Sequence, residues 1–333
     1  MNSARLLLDT LRFQGGPPPE RLAEAWIEAE GTGLRRLVSF EGCSIWLCRR
    51  LRQLGVLERI DPDLAAWVSA KAREETARNL LIEAEAQALA DILREIDTPA
   101  VFLKGVARRL VADRYQLADA RVTNDVDVLV PSANAREVWH ALRIRGYERT
   151  SPTKPPRPHH HHLPALWSHR LVGVELHTTY ARGVTPEVAW QRYYDAGMAV
   201  ERSGIQFRVP SATEMFWGAT AHSLLIPDIA FLLAFLFDAA VIWASGADVD
   251  WREIARRLDA KEIVDGGAAA AWLGAAAQLA GVEPPVALAG RVAPYDLERA
   301  LSLRLVVLRH LQPSGGVRKA LAWWTSERAR AGA

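Results

Sequence analysis

The sequence predicts an α+β protein with a small mixed-sheet core, flanked by N-terminal helices and a C-terminal helical bundle. Three observations carry this. Apolar residues recur three and four apart before about residue 97 and again after about residue 211, the period of helices with one buried face. Between them, strand-like runs alternate with helical spacing, which indicates a small α/β unit around a mixed sheet. Breaks at Gly15-Gly-Pro-Pro-Pro and Asp97-Thr-Pro punctuate the leading helices. The expected domains are therefore 1–97 (helical), 98–210 (α/β core) and 211–333 (helical).

In chain order, Ala77 to Leu93 shows the clearest one-sided helical pattern of the leading region. Ala100 to Leu103 reads as a short buried strand, Gly105 to Tyr115 as a helix, and Asn124 to Val130 as a second strand. Asn134 to Arg145 has helical spacing and ends at Gly146, a residue suited to the left-handed position that closes a helix. Leu171 to Thr178 is a third strand, and Ile205 to Val209 a possible fourth. Later helices are expected at Ser211 to Leu225, Asp228 to Ala244, Trp251 to Leu258, Gly267 to Leu279 and the C-terminal stretch.

Of 333 residues, half are hydrophobic and 24% charged, a globular profile. The net charge of +2 is too small for a protein that tracks a long polynucleotide, which needs clustered Lys and Arg. Cys43 and Cys48, five apart, fit neither a zinc ribbon nor a redox pair and read as buried thiols in a reducing compartment. No signal-peptide pattern opens the chain, and the apolar run Ile229 to Phe237 is too short to span a bilayer. A cytoplasmic protein without membrane partners is expected.

The chemistry centres on Asn124-Asp-Val-Asp-Val-Leu-Val-Pro. Side chains two apart on a strand share a face, so Asp125 and Asp127 project together while Val126, Val128 and Val130 pack the other face. Paired carboxylates suit Mg²⁺, a hard ion that binds one or two carboxylates plus substrate phosphates. A lone Asp-x-Asp is more often a solvated strand end, and the context tips the balance. Upstream, Lys104-Gly105 joins a strand to a helix, where glycine permits close approach and lysine adds a point charge for phosphate; an ordinary surface lysine is the other reading. Downstream, Leu171-Val-Gly-Val-Glu-Leu-His-Thr alternates, setting Glu175 and His177 on the face opposite Val172, Val174 and Leu176. Glu175 completes an acidic triad of the kind two-metal phosphoryl-transfer sites use. His177 is either a partner that orients a carboxylate or a contact to nucleotide.

Leu103-Lys-Gly, Arg121-x-x-x-Asp-Val-Asp-Val-Leu-Val, Gly146-Tyr and Val174-Glu-Leu-His, in this order, resemble the uncharacterised nucleotidyltransferase family of the DNA-polymerase-β-like superfamily. The resemblance spans about Pro99 to Leu258 and takes in His222, Asp238 and Asp250-Trp251, which stand in the family's order. It implies an NTP donor such as ATP, Mg²⁺ (with Mn²⁺ as substitute), and metal-holding catalytic carboxylates at Asp125, Asp127 and Glu175. The wider superfamily carries Gly-Ser in the phosphate turn, where this chain has Lys104-Gly105-Val106.

Arg121, Arg108 and Arg109 are each either triphosphate contacts or surface charges with packed stems. His159 to His162 form a proline-flanked tract whose consecutive residues cannot all face one ion; it reads as a solvated loop from which one histidine could touch substrate. His222 and Asp238 share either a structural hydrogen bond or a part in catalysis. Trp217 and Trp251 are core residues or base-stacking surfaces.

The activity expected is Mg²⁺-dependent transfer of a nucleoside monophosphate from NTP to an acceptor hydroxyl or similar nucleophile, with pyrophosphate released. The acceptor is a small molecule, a peptide or protein, or an RNA end such as that of a tRNA. A cleft between core and bundle is the expected binding place. The alternative is a degenerate nucleotidyltransferase fold kept as a nucleotide-binding or scaffold module. A His-rich metal hydrolase ranks below both, because no fixed spacing supports a ligand set.

Overall fold

The computed structural model describes residues 2–29, 33–115, 119–149, 162–180, 184–225, 233–262 and 266–310. Five helices come first: α1 (Ser3–Leu11), α2 (Pro19–Ile27), α3 (Leu34–Glu41), α4 (Ser44–Gln53) and the long α5 (Pro62–Glu95). Then follow β1 (Val101–Phe102), α6 (Lys104–Leu110), β2 (Asp125–Leu129), α7 (Ala135–Ile144), β3 (Glu148–Arg149), β4 (Leu166–Trp167) and β5 (Gly173–His177). Next are α8 (Pro186–Trp190), β6 (Met198–Arg202), β7 (Ile205–Val209) and α9 (Ala212–Leu225). The last described helices are α10 (Leu233–Ala244), α11 (Trp251–Asp259), α12 (Gly266–Ala280) and α13 (Leu297–His310).

The chain divides into two compact units. One comprises Met1–Thr76, Tyr115–Val122 and Ala219–Ala333; the other comprises Ala77–Arg114 and Thr123–Gly218. The first is helical. Its core collects Leu6, Leu7, Leu8 and Leu11 from α1 with Trp26, Trp46, Phe237 and Trp272, all at most 1% exposed. Phe13, Trp46 and Phe237 form an aromatic cluster with ring centroids 4.7–5.5 Å apart. Each such ring removes 150–250 Å² or so of mostly apolar surface from water, which makes the cluster a large share of this core. The alanine run of α12 follows from close packing: a Cβ at Gly274 would fall 1.9 Å from the Ala293 carbonyl oxygen, so only glycine fits there. Glu41 and Arg304 form a fully buried ion pair at 2.9 Å, and the second Glu41 oxygen accepts the Leu233 amide at 2.8 Å. Burial pushes the Glu41 carboxyl above its ordinary range, and the Arg304 charge opposes that rise.

The second unit is the α+β core. Its sheet has the order β1-β2-β5-β4-β3 and is mixed: β2 and β5 are parallel, the other pairs antiparallel. Val126, Val128, Val130, Val172, Val174 and Leu176 are all buried, as the alternation predicts. α7 ends where expected, with Gly146 at φ +86°.

Three sequence expectations change. α6 stops at Leu110, not Tyr115, because the amides of Ala112 and Arg114 close tight turns onto the carbonyls of Arg109 and Val111. Ile205–Val209 is not a strand of the main sheet; it pairs with β6 in a separate hairpin. The hairpin's two-residue turn, Ser203-Gly204, has positive φ at both positions (52° and 75°), the conformation that matches the twist of paired strands. β3, β4 and the leading helix α1 were not foreseen. The front part of the expected helix at Asp228, residues 228–232, and His159 to His161 lie outside the described residues.

A buried pair is costly to break from one side, since the surviving charge is stranded. Arg304→Met should therefore lower the unfolding free energy by about 3–5 kcal/mol in chemical denaturation. Pairing it with Glu41→Leu should restore much of the loss; a double variant no better than the single one would contradict this account of the pair.

Candidate active site

The parallel pairing of β2 with β5 sets Asp125 opposite Gly173, Asp127 opposite Glu175 and Leu129 opposite His177. Both strands alternate, so one face of the pair is valine and leucine and the other is polar. On that polar face, Lys104 Nζ donates to Asp127 Oδ1 at 2.6 Å, and His177 Nε2 donates to the same oxygen at 2.8 Å. His177 Nε2 also stands 3.5 Å from Glu175 Oε2. Asp127 and His177 are each 1% exposed, whereas Glu175 and Lys104 are half-buried. Among the described residues, the metal-ligating atoms that gather within 4.8 Å of one another come from Asp127, Glu175 and His177.

These contacts fix the charges. Burial acts to raise the Asp127 carboxyl, but the Lys104 charge and the His177 hydrogen bond outweigh it and hold the group well below the ordinary carboxylate range. Glu175 is also lowered: burial opposes, and the His177 hydrogen bond prevails. His177 is raised against its burial by its bonds to Asp127 and Glu175. Lys104 is raised too, because the three carboxylates together overcome its desolvation. Asp125 goes the other way. Desolvation first, and then the neighbouring Asp127 charge, raise it from 3.8 to about 7.

Several supports were invisible in the sequence. The Leu103 amide bonds the Asp127 carbonyl at 2.9 Å, which places Lys104 beside the acidic strand. A Cβ on Gly105 would lie 2.6 Å from Thr123 Cγ2 and 2.7 Å from its Oγ1. Gly105 is thus needed for packing against Thr123, two residues before β2. From α5, Asn79 Oδ1 accepts the Thr123 amide at 2.8 Å, and Arg78 donates to the carbonyls of Asn124 (2.9 Å) and Leu171 (3.1 Å). Arg78 therefore clasps the starts of both strands of the acidic face. The only cue for it was the helical register of Ala77 to Leu93, which does not say what the helix touches.

The remaining sequence candidates fall as follows. His162 forms a β-bridge with His177, and its Nε2 is 3.8 Å from Glu175 Oε2, so one member of the histidine tract reaches the acidic face. Arg109 pairs with Glu83 at 2.9 Å, and Arg108 is buried. Arg121 belongs to the helical unit, where it pairs with Asp238 at 3.1 Å and lies 4.9 Å over the Phe235 ring. His222 also faces Phe235, with centroids 6.2 Å apart. Trp217 is fully buried, and Trp251 packs on Trp243 at 5.1 Å. Cys43 and Cys48 are buried free thiols, as expected. No helix among the described residues is long and apolar enough to cross a membrane.

Compared with known protein families, residues 29–276 match the uncharacterised nucleotidyltransferases. The chain belongs to this family. A search of curated proteins found no match. The matched span takes in the whole acidic face, together with Arg78, Asn79 and Lys104, so the nucleotidyltransferase assignment and the clustered Asp127, Glu175 and His177 fall on the same part of the chain.

Two outcomes are expected of metal-free nucleotidyltransferase. A carboxyl raised from 3.8 to about 7 on folding makes the folded state bind a proton that the unfolded state releases. Its cost to stability therefore grows as pH rises between those values and is full above pH 7 or so. Asp125→Asn should raise the melting temperature at pH 8 and leave it almost unchanged at pH 4; equal shifts at both would refute the assignment. Gly105→Ala should destabilise by about 1–3 kcal/mol through overpacking against Thr123, and Thr123→Ser should recover part of that in a denaturation series.

Proposed function

We propose that this nucleotidyltransferase moves a nucleoside monophosphate from an NTP, ATP among them, to an acceptor nucleophile and releases pyrophosphate. The observation that carries the reading is the convergence of Asp127, Glu175 and His177 beside Lys104 on the face of two parallel strands. The donor set fits a divalent ion: two carboxylates supply hard oxygens, and His177 adds an imidazole nitrogen once the Nε2 proton it gives to Asp127 has been lost. Mg²⁺ suits the oxygens, and the nitrogen extends the fit to Mn²⁺. When bound, such an ion neutralises charge on the triphosphate and favours departure of pyrophosphate.

The side chains of the chain supply the rest. The acceptor oxygen attacks the α-phosphorus, its bond forms as the α–β phosphoanhydride bond breaks, and the acceptor's proton must go to a base. Asp125, two residues before Asp127 on the same strand face, is the carboxylate this reading assigns to accept that proton. Lys104 adds positive charge at the phosphate side. The acceptor classes this reading admits are a small molecule, a peptide or protein side chain, and an RNA end. The alternative, nucleotide binding without transfer, draws on one contact: Lys104 already neutralises Asp127.

Incubation with α-labelled NTPs, Mg²⁺ or Mn²⁺ and cell extract should label an acceptor. Asp127→Asn should abolish transfer, and Asp125→Asn should slow it by about 10²–10⁴-fold. Transfer undiminished in Asp127→Asn would sink the catalytic reading. Saturable NTP binding with no transfer under any condition would favour the binding module.

A further inference from the structure

Lys104 reaches the acidic face from a backbone conformation that lysine seldom adopts. Its φ is +48°, in the left-handed region where a Cβ crowds the backbone. Such strain persists only when the surroundings hold the residue in place, and it is commonly stored where a group has a second position. The two groups that share Asp127 Oδ1 are also held differently. His177 is fixed in β5 with its side chain 1% exposed, whereas the Lys104 side chain is 30% exposed and enters from the open side. One partner is part of the sheet, and the other is a tether.

Asp127 Oδ1 accepts from both nitrogens, at 2.6 and 2.8 Å, and an oxygen with two such donors has little capacity left for a third partner. An ammonium next to a divalent cation is also strongly repelled at this burial. We propose that Lys104 is a tethered cation standing in the ion's place on Asp127, so that the Lys104–Asp127 bond and divalent-ion binding exclude each other. Loading the site then frees the Lys104 ammonium, which is released beside the place where donor phosphates would lie. The arrangement keeps the acidic cluster neutralised before loading and makes Lys104 a determinant of ion affinity. This rests on the reading that Asp127, Glu175 and His177 hold a divalent ion.

Two ligands that exclude each other are linked: removing one strengthens the other by the free energy of the bond given up. The test is Mn²⁺ titration by calorimetry on the full chain, comparing wild type with Lys104→Met, Lys104→Arg and Asp127→Asn. Lys104→Met should bind Mn²⁺ at least ~5-fold more tightly than wild type, Lys104→Arg should stay near wild type, and Asp127→Asn should lose saturable binding. Because Lys104→Met could fold poorly, a second measurement uses the wild-type protein. Labelling with an amine-reactive reagent, read at Lys104 by peptide mapping, should accelerate on Mn²⁺ saturation as the ammonium leaves its ion pair. Lys104→Met binding that is equal or weaker, or Lys104 labelling unchanged by Mn²⁺, overturns the proposal while wild-type binding that is lost in Asp127→Asn leaves the ion reading intact. Absence of saturable Mn²⁺ binding in both wild type and Lys104→Met overturns the two together.

Discussion

A buried carboxylate stays ionised only if something positive or hydrogen-bonding replaces the water it has lost. Asp127 is that carboxylate here: it is 1% exposed, yet held low by Lys104 and His177. Each element around it answers to this constraint. β5 must run parallel to β2 in the observed register to bring Glu175 level with Asp127 and His177 two residues on. The turn after β1 must bend sharply enough to aim a lysine at the same oxygen. The valines on the opposite face anchor both strands, so the polar face cannot rotate away.

The long helix α5 supports this from outside the sheet. Its Asn79 and Arg78 satisfy backbone groups at the starts of β2 and β5, where the ladder leaves them without strand partners. Further along the same helix, Glu85 is fully buried and takes Arg170 at 3.1 Å and the Tyr147 hydroxyl. Glu83 pairs with Arg109 of α6 and Arg202 of the β6–β7 hairpin. One helix surface thus binds together the sheet, α6 and the hairpin of the α+β unit through charge-assisted bonds, which are the stronger kind.

The three carboxylates of the acidic face have the same charge at neutral pH in isolation but are held in different states. Asp127 lies deepest and is paired twice, Glu175 is half-buried beside His177, and in Asp125 desolvation and the Asp127 charge outweigh the opposing Lys104 and His177 charges and raise it to about 7. That division follows from position along β2: two residues of strand carry the carboxyl from the edge of the cluster to its centre.

Much of this was legible in the chain. Period-two alternation put Asp125 with Asp127, and Glu175 with His177, each on the polar face of its own strand, and the apolar partners were correct because the two faces of a strand obey a local rule. The Ser203-Gly204 hairpin was missed: Ile205–Val209 read as a strand of the main sheet, although a two-residue turn before it carried the signal. Local periodicity does not carry strand order, register across a crossover, or the target of a long side chain. Those are set by contacts between residues far apart in sequence. Thus Arg121, close to the acidic strand in sequence, turned to Asp238, while Arg78, more than forty residues away, came to hold the carbonyl just before that strand. The sequence by itself determined which residues could do acid and metal chemistry and which strand face they share. Only tertiary structure decided that Asp127, Glu175 and His177 converge, that Lys104 rests on Asp127, and that Asp125 is raised while its neighbours are lowered, because burial and charge pairing depend on packing.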